Sequence, residues 1–110
     1  MMKQDHFYKF EMLILSLLNK SDLEFFDIFK YINNSSHNYI KIKKGVLFTI
    51  LYHLEIAQLI SHYNKNNQDF YHIEEPGQVR YDMLKRDYQN LNTAIESIMQ
   101  SKISEDYQHE

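Results

Sequence analysis

Cysteine and tryptophan are both absent from the 110 residues. Without cysteine there are no disulfides and no thiolate zinc sites, which fits a reducing, cytoplasmic setting. Long apolar runs are missing as well. The longest, from Met12 to Leu18, is too short to span a bilayer and is broken by Ser16. The opening Met1-Met2-Lys3-Gln4-Asp5 lacks the charged start, apolar middle and small-residue cleavage site of a signal peptide. No Gly-x-Ser-x-Gly elbow, phosphate loop, His-Glu-x-x-His or cysteine nucleophile is present, so nothing points to an enzyme, a cofactor or a catalytic metal.

What is present is a chain of ordinary apolar content, long enough for one domain with a modest core. The net charge of −3 argues against a nonspecific nucleic-acid coat, but its distribution is uneven. Residues 38–65 carry Lys41, Lys43, Lys44 and Lys65 against Glu55 alone, and residues 96–110 carry Lys102 against four acids. A dipolar chain of this kind can turn one face to phosphates.

Helical spacing of Phe7, Phe10, Ile14, Leu17 and Leu18 predicts a first helix over 5–18. Met12, Leu13 and Leu15 make it apolar nearly all round, which implies burial on more than one face and a partner subunit for the second. Ser21-Asp22-Leu23-Glu24 has the form of a capping box, and Phe25, Phe26, Ile28, Phe29 and Ile32 form the core face of the helix behind it. A polar cluster over 33–38 ends that helix, and the alternating stretch 39–43 is extended. A third helix begins near Lys44 or Gly45. It buries Leu47, Ile50, Leu51 and Leu54 and turns Gly45, Thr49, Tyr52, His53 and Ile56 outward. Short strands over 59–63 and 70–73 follow, joined by the asparagine-rich segment 64–69. Pro76 suits a first helical turn. The last helix reaches about Ser101, with Tyr81, Leu84, Tyr88, Leu91, Ile95 and Ile98 in a heptad seam. The strands place His62 and His72 where they could face each other. Without a cysteine or a carboxylate in the pattern, surface histidines are a better reading than a metal site.

A helix entered through lysines and followed by a polar hairpin is how a winged helix presents itself to DNA. The stretch Gly45–Ile60 also resembles the PadR family of bacterial transcription regulators, whose motif runs Gly-Thr-Leu-Tyr-Pro-x-Leu-x-x-Leu-Glu-x-x-Gly-Leu-Ile. It matches at Gly45, Leu47, Leu51, Leu54, Glu55, Leu59 and Ile60. Tyr71, Ile73 and Gly77 are similar to the family's wing exit, Tyr-x-Leu-Thr-x-x-Gly. The chain departs from the pattern at Lys43-Lys44 for Ser-Pro, Phe48 for tyrosine, Thr49 for proline, Gln58 for glycine and Glu74 for threonine.

The resemblance implies a mainly α fold with a small β-hairpin: a winged helix-turn-helix plus a long C-terminal dimerisation helix, as in the short subclass of the family. Residues 1–75 would form the DNA-binding region and 76–110 the dimerisation helix and a polar tail, together one structural domain. The expected function is a homodimeric, sequence-specific DNA-binding regulator, a repressor on an inverted-repeat operator in double-stranded DNA. Lys41, Lys43, Lys44, Lys65 and Asn66 would meet the backbone or the neighbouring groove. Thr49, Tyr52 and His53 would meet base edges. Dimerisation would use Phe7, Phe10, Ile14, Leu84, Tyr88, Leu91, Ile95 and Ile98. The nine tyrosines and seven phenylalanines chiefly serve core and seam, with a small aromatic effector at the dimer interface as the sharper reading. Two rivals are a winged-helix module that binds proteins, favoured by the acidic pI, and a replication or partition protein of the same fold.

Overall fold

The structure is a computed structural model that describes residues 4–103, with side chains from Tyr8 onward. Four helices and one hairpin follow in the order α1 (Gln4–Lys20), α2 (Phe25–Asn34), α3 (Lys44–Ile56), β1 (Ile60–Lys65), β2 (Gln68–Ile73) and α4 (Glu75–Met99). The mainly helical winged-helix architecture that the resemblance implied, with a small hairpin and a long last helix, is the one observed.

The core forms where the apolar faces converge. Ile14, Leu15 and Leu18 of α1 meet Ile28 and Ile32 of α2, and Leu47, Ile50, Leu51 and Leu54 of α3; Ile60 and Ile73 close it from the hairpin. All four α3 positions expected inside are at most 2% exposed. The central element is α1, which packs against α2, α3, α4 and β2. Its nearly all-round apolarity is therefore satisfied within one chain. This corrects the expectation that a partner covers its second face: Phe10 and Ile14, assigned to dimerisation, are 6% and 0% exposed and belong to the core of the protomer. Phe7, assigned with them, lies outside the residues whose side chains are described.

The capping box at Ser21 does not form. Leu23 is held extended by an antiparallel bridge to Tyr71, with Tyr71 N–H donating to Leu23 O at 2.8 Å and Leu23 N–H to Tyr71 O at 3.2 Å. Helix α2 can start only after it, with Glu24 as N-cap and no side-chain cap. Ser21 Oγ donates to Asp22 O instead. The polar cluster that ends α2 contains a buried anchor. Asn33 Nδ2 donates to Phe29 O at 2.8 Å, its Oδ1 accepts from Ile42 N–H at 2.8 Å, and its carbonyl accepts from Lys41 Nζ at 3.0 Å. The stretch 40–43 thus alternates as expected, with Ile42 buried and Lys41 and Lys43 exposed, without being a strand.

Helix α3 does not run straight into the wing. It ends in a Schellman motif: Leu59 N–H donates to Leu54 O at 3.0 Å and Gln58 N–H to Glu55 O at 2.9 Å. Gln58 takes φ 63°, the left-handed position that glycine favours. Its side chain is exposed, so nothing is lost by removing it. Gln58→Gly is therefore expected to raise stability by about 1 kcal/mol, the strain relieved exceeding the added flexibility of the unfolded chain. A urea midpoint equal to or below that of the parent would contradict this.

The wing is longer and its turn tighter than the sequence suggested. The strands pair from Ile60↔Ile73 to Lys65↔Gln68. Only Asn66 and Asn67 form the turn, at φ 54° and 64°. Positive φ at both central residues is the type I′ signature that suits a two-residue hairpin. This register pairs His62 with Tyr71 and His72 with Ser61, so the two histidines point to opposite faces. Each faces a carboxylate: His62 Nδ1 lies 2.5 Å from Glu55 Oε1, and His72 Nδ1 lies 2.8 Å from Asp22 Oδ1. Among the described residues no three His, Cys, Asp or Glu side chains converge on a metal position.

Asp22 is the second tie between wing and helices, because its Oδ2 also accepts from Tyr63 Oη at 2.6 Å. Burial alone would raise its carboxyl; the hydrogen bonds from Tyr63 and His72, with the imidazole's charge, outweigh burial and hold it below the usual carboxylate range. The same contact raises the Tyr63 phenol. A carboxyl depressed in the fold stabilises it above its unfolded value, near pH 4, and that contribution fades as pH falls through the folded value. Asp22→Asn is expected to lower stability by about 1 kcal/mol at pH 7. The difference from the parent should shrink as pH falls below about 4 and on through the folded value, read as paired urea midpoints; a constant difference across pH would exclude a role for the charge.

Candidate nucleic-acid interface

The outward face of α3 and the wing lie on one side of the molecule. Helix α3 begins at Lys44 with Lys43 as N-cap, has no side-chain cap and carries no acid in its first turn. Its open N–H groups and dipole thus face outward beside two cations, an arrangement that favours a phosphate oxygen. Gly45 sits in this first turn, and a Cβ built on it would meet nothing within 4 Å. The fold does not require glycine there, and the space it leaves lies outside the chain.

The expected contact residues are all exposed, but several are already engaged. Lys41 is tied to the carbonyl that ends α2. The Lys44 ammonium lies 4.7 Å from the centre of the Phe26 ring and 5.6 Å from that of Phe29, a cation–π seat that fixes its position. Thr49 Oγ1 donates to Gly45 O at 2.9 Å, so its hydroxyl is turned back along the helix and its methyl remains. Tyr52 is 59% exposed and its ring lies edge-on to His53 at 5.9 Å. Lys65 and Asn66 stand at the wing tip, exposed, at the far end of the hairpin from Ile60. Two neighbours on the α3 face are also strongly exposed: Phe48 at 62%, which the sequence reading left unassigned, and Ile56 at 61%. Helical position predicts Ile56, which lies opposite the core face; Phe48 stands on the flank, against Phe25 at 6.1 Å.

Helix α4 divides into two parts. Its first turns pack on α1 through Arg80, Tyr81 and Leu84: Arg80 grips Glu11, and Tyr81 Oη reaches Ser16 Oγ at 3.4 Å. Every residue from Lys85 to Met99 is exposed. Of the seam expected for dimerisation, Leu84 is half-buried against the protomer core, whereas Tyr88, Leu91, Ile95 and Ile98 are exposed at 51%, 60%, 43% and 74%. Among the described residues no helix is long and apolar enough to cross a membrane.

Comparison with known proteins follows this geometry. A transcriptional regulator from Clostridium thermocellum superposes with a TM-score of 0.76 at 22% identity, covering 88% of this chain and 97% of its own. A PadR family transcription regulator from Clostridium difficile gives 0.75 at 21% identity, covering 82% and 97%. Bacillus subtilis PadR, in a complex with operator DNA, gives 0.58 at 21% identity, covering 66% of this chain and 44% of its own. Comparison with curated proteins gives no match. The profile of the transcriptional regulator PadR-like family matches residues 14–83. That span runs from the middle of α1 through the wing into the packed part of α4, and the chain belongs to the PadR-like family of transcriptional regulators.

Proposed function

We propose that the protein is a cytoplasmic, homodimeric repressor that occupies an inverted-repeat operator in double-stranded DNA. The observation that carries this reading is the α3 face: an uncapped, lysine-flanked helix start with unfilled space at Gly45, continuing into exposed Thr49, Tyr52 and His53. The Bacillus subtilis PadR fold bound to operator DNA supports it. Lys41, Lys43, Lys44, Lys65 and Asn66 hold the phosphates, and the Thr49 methyl, Tyr52 and His53 read bases in the major groove. Residues 1–75 carry this work. The exposed stripe Tyr88–Leu91–Ile95–Ile98, in residues 76–110, is covered by the same stripe of a second copy. A two-fold dimer reads both half-sites alike, about one helical turn or a multiple apart. A flat aromatic effector would find Tyr81 and Tyr88 beside this seam.

The test is a gel-shift series across salt concentrations. Lys43→Ala with Lys44→Ala is expected to weaken all duplexes about equally and to flatten the salt dependence by roughly one to two units of slope for each lysine position lost from both subunits, about 3–4 units in all. In the same series Leu91→Glu with Ile95→Glu should sediment as a monomer and lose operator affinity. Unchanged slopes with the lysines removed, or normal dimers from the second variant, would overturn the reading.

A further inference from the structure

Between α3 and the wing lies a cleft of about 290 Å³, lined by Phe48, Tyr52, Glu55, His62, Asp69 and Tyr71. Its chemistry differs from that of the surface around it. Three aromatic rings line it together with two carboxylates and an imidazole, and no lysine is among the lining residues. Both carboxylates already accept a hydrogen bond: Glu55 Oε1 faces His62 Nδ1 at 2.5 Å, and Asp69 Oδ1 accepts from Asn64 Nδ2 at 3.0 Å. They are thus poorly placed to coordinate a metal ion, which needs several free oxygens converging at short range. Their negative charge remains in the cleft all the same. It is felt at Tyr71, whose phenol is pushed up first by burial and then by the charges of Glu55 and Asp69.

Aromatic faces combined with negative charge that offers no open coordination position suit one class of ligand, a diffuse organic cation. Such an ion needs π faces and Coulomb attraction but no directional hydrogen bond. Phe48 meets Phe25 at 6.1 Å and Tyr52 meets His53 at 5.9 Å, yet the two remain 62% and 59% exposed, so much of each ring is open to a ligand. The volume lies at the lower end of ligand clefts, roughly 300 Å³, and admits a small ion. We propose that this cleft binds a small quaternary or tertiary ammonium ion between the Phe48, Tyr52 and Tyr71 rings, beside Glu55 and Asp69. Tyr52 also belongs to the proposed base-reading face, so bound cation and bound DNA exclude each other. That second step rests on the DNA-binding reading; the first does not.

The test uses the full chain with choline and its uncharged isostere 3,3-dimethylbutan-1-ol, followed by amide chemical shifts without DNA. Choline should produce saturable shifts centred on Tyr52, His62 and Tyr71, and the alcohol should bind roughly tenfold more weakly or not at all. Glu55→Gln with Asp69→Asn should weaken choline about tenfold. Phe48→Ala with Tyr52→Ala, which removes rings but no charge, should do the same. In a separate gel shift, choline chloride should release DNA at concentrations where sodium chloride of equal ionic strength does not. Equal binding of the alcohol, unchanged choline affinity in both variants, or no saturable shift would overturn the cation site. Saturable binding without release of DNA would leave the site standing and overturn only the mutual exclusion.

Discussion

Gly77→Ala is expected to lower stability by about 3–4 kcal/mol, more than any surface change on the molecule. A Cβ at Gly77 would lie 2.2 Å from the Leu59 carbonyl oxygen and 2.8 Å from Ile73 Cγ1. The side-chain atom of Ile73 can rotate away. The Leu59 carbonyl cannot, because it accepts from Glu74 N–H at 2.9 Å and sits between the Schellman turn and the first residue of β1. Moving it breaks that bond and separates α4 from the wing. Alanine's better helix propensity, about 1 kcal/mol at most, favours the variant but is too small to compensate. The measurement is the urea midpoint followed by circular dichroism. Parent-like stability would mean that α4 can shift as a body at no cost.

The second large effect is expected at Arg80. Glu11 is 3% exposed in the middle of α1 and, among the described residues, forms its ion pair with Arg80: Arg80 Nε donates to Oε2 at 2.8 Å and Nη2 to Oε1 at 3.2 Å. The Tyr8 ring, 5.5 Å from the guanidinium, flanks the pair. The Glu11 hydrogen bond, exceeding the opposing effect of burial, holds the Arg80 guanidinium above its ordinary pKa. Arg80→Met strands a buried carboxylate and should cost about 3 kcal/mol, the low end for such pairs because the arginine is partly open to water. Replacing both partners, Glu11→Met with Arg80→Met, should recover most of that loss, since no charge then remains inside. Denaturant unfolding of the two singles and the double closes the cycle. If the double is as unstable as the single, the loss comes from packing around Arg80 and the charge is irrelevant.

Which of these features the sequence discloses depends on how local the physics is. The α3 core positions follow from one period over thirteen residues, and the structure buries all four. Gly77 could be matched to a family motif, yet its reason, a carbonyl eighteen positions earlier, lies in the tertiary fold. Ser21 misled because a capping box is a local pattern, whereas the pairing of Leu23 with Tyr71, forty-eight positions away, decides the backbone there. The turn at Asn66-Asn67 was recognisable as asparagine tolerating positive φ, but the strand ends were not, since Asn64, Lys65, Gln68 and Asp69 pair despite low strand propensity. The Glu11–Arg80 pair spans 69 positions and leaves no periodic trace. The α1 error has the same origin. All-round apolarity says that a helix is surrounded, and it is silent on whether its own chain or another does the surrounding. At the candidate interface, the exposure of Thr49, Tyr52 and His53 follows from helix phase, but the tethering of Lys41 and Lys44 does not.

The contact between Gly77 and Leu59 also makes α4 a lever. The helix is clamped at its first turn against the base of the wing, and every residue from Lys85 to Met99 is exposed. The helix is also held on α1 through Arg80, Tyr81 and Leu84, so the free arm is the roughly 15 residues beyond Leu84, about 22 Å long. A tilt of about 5° of the packed part would carry the tip by roughly 2 Å over an arm of that length. Whatever grips the exposed end of α4 therefore pulls on a helix whose other end is seated beneath the hairpin.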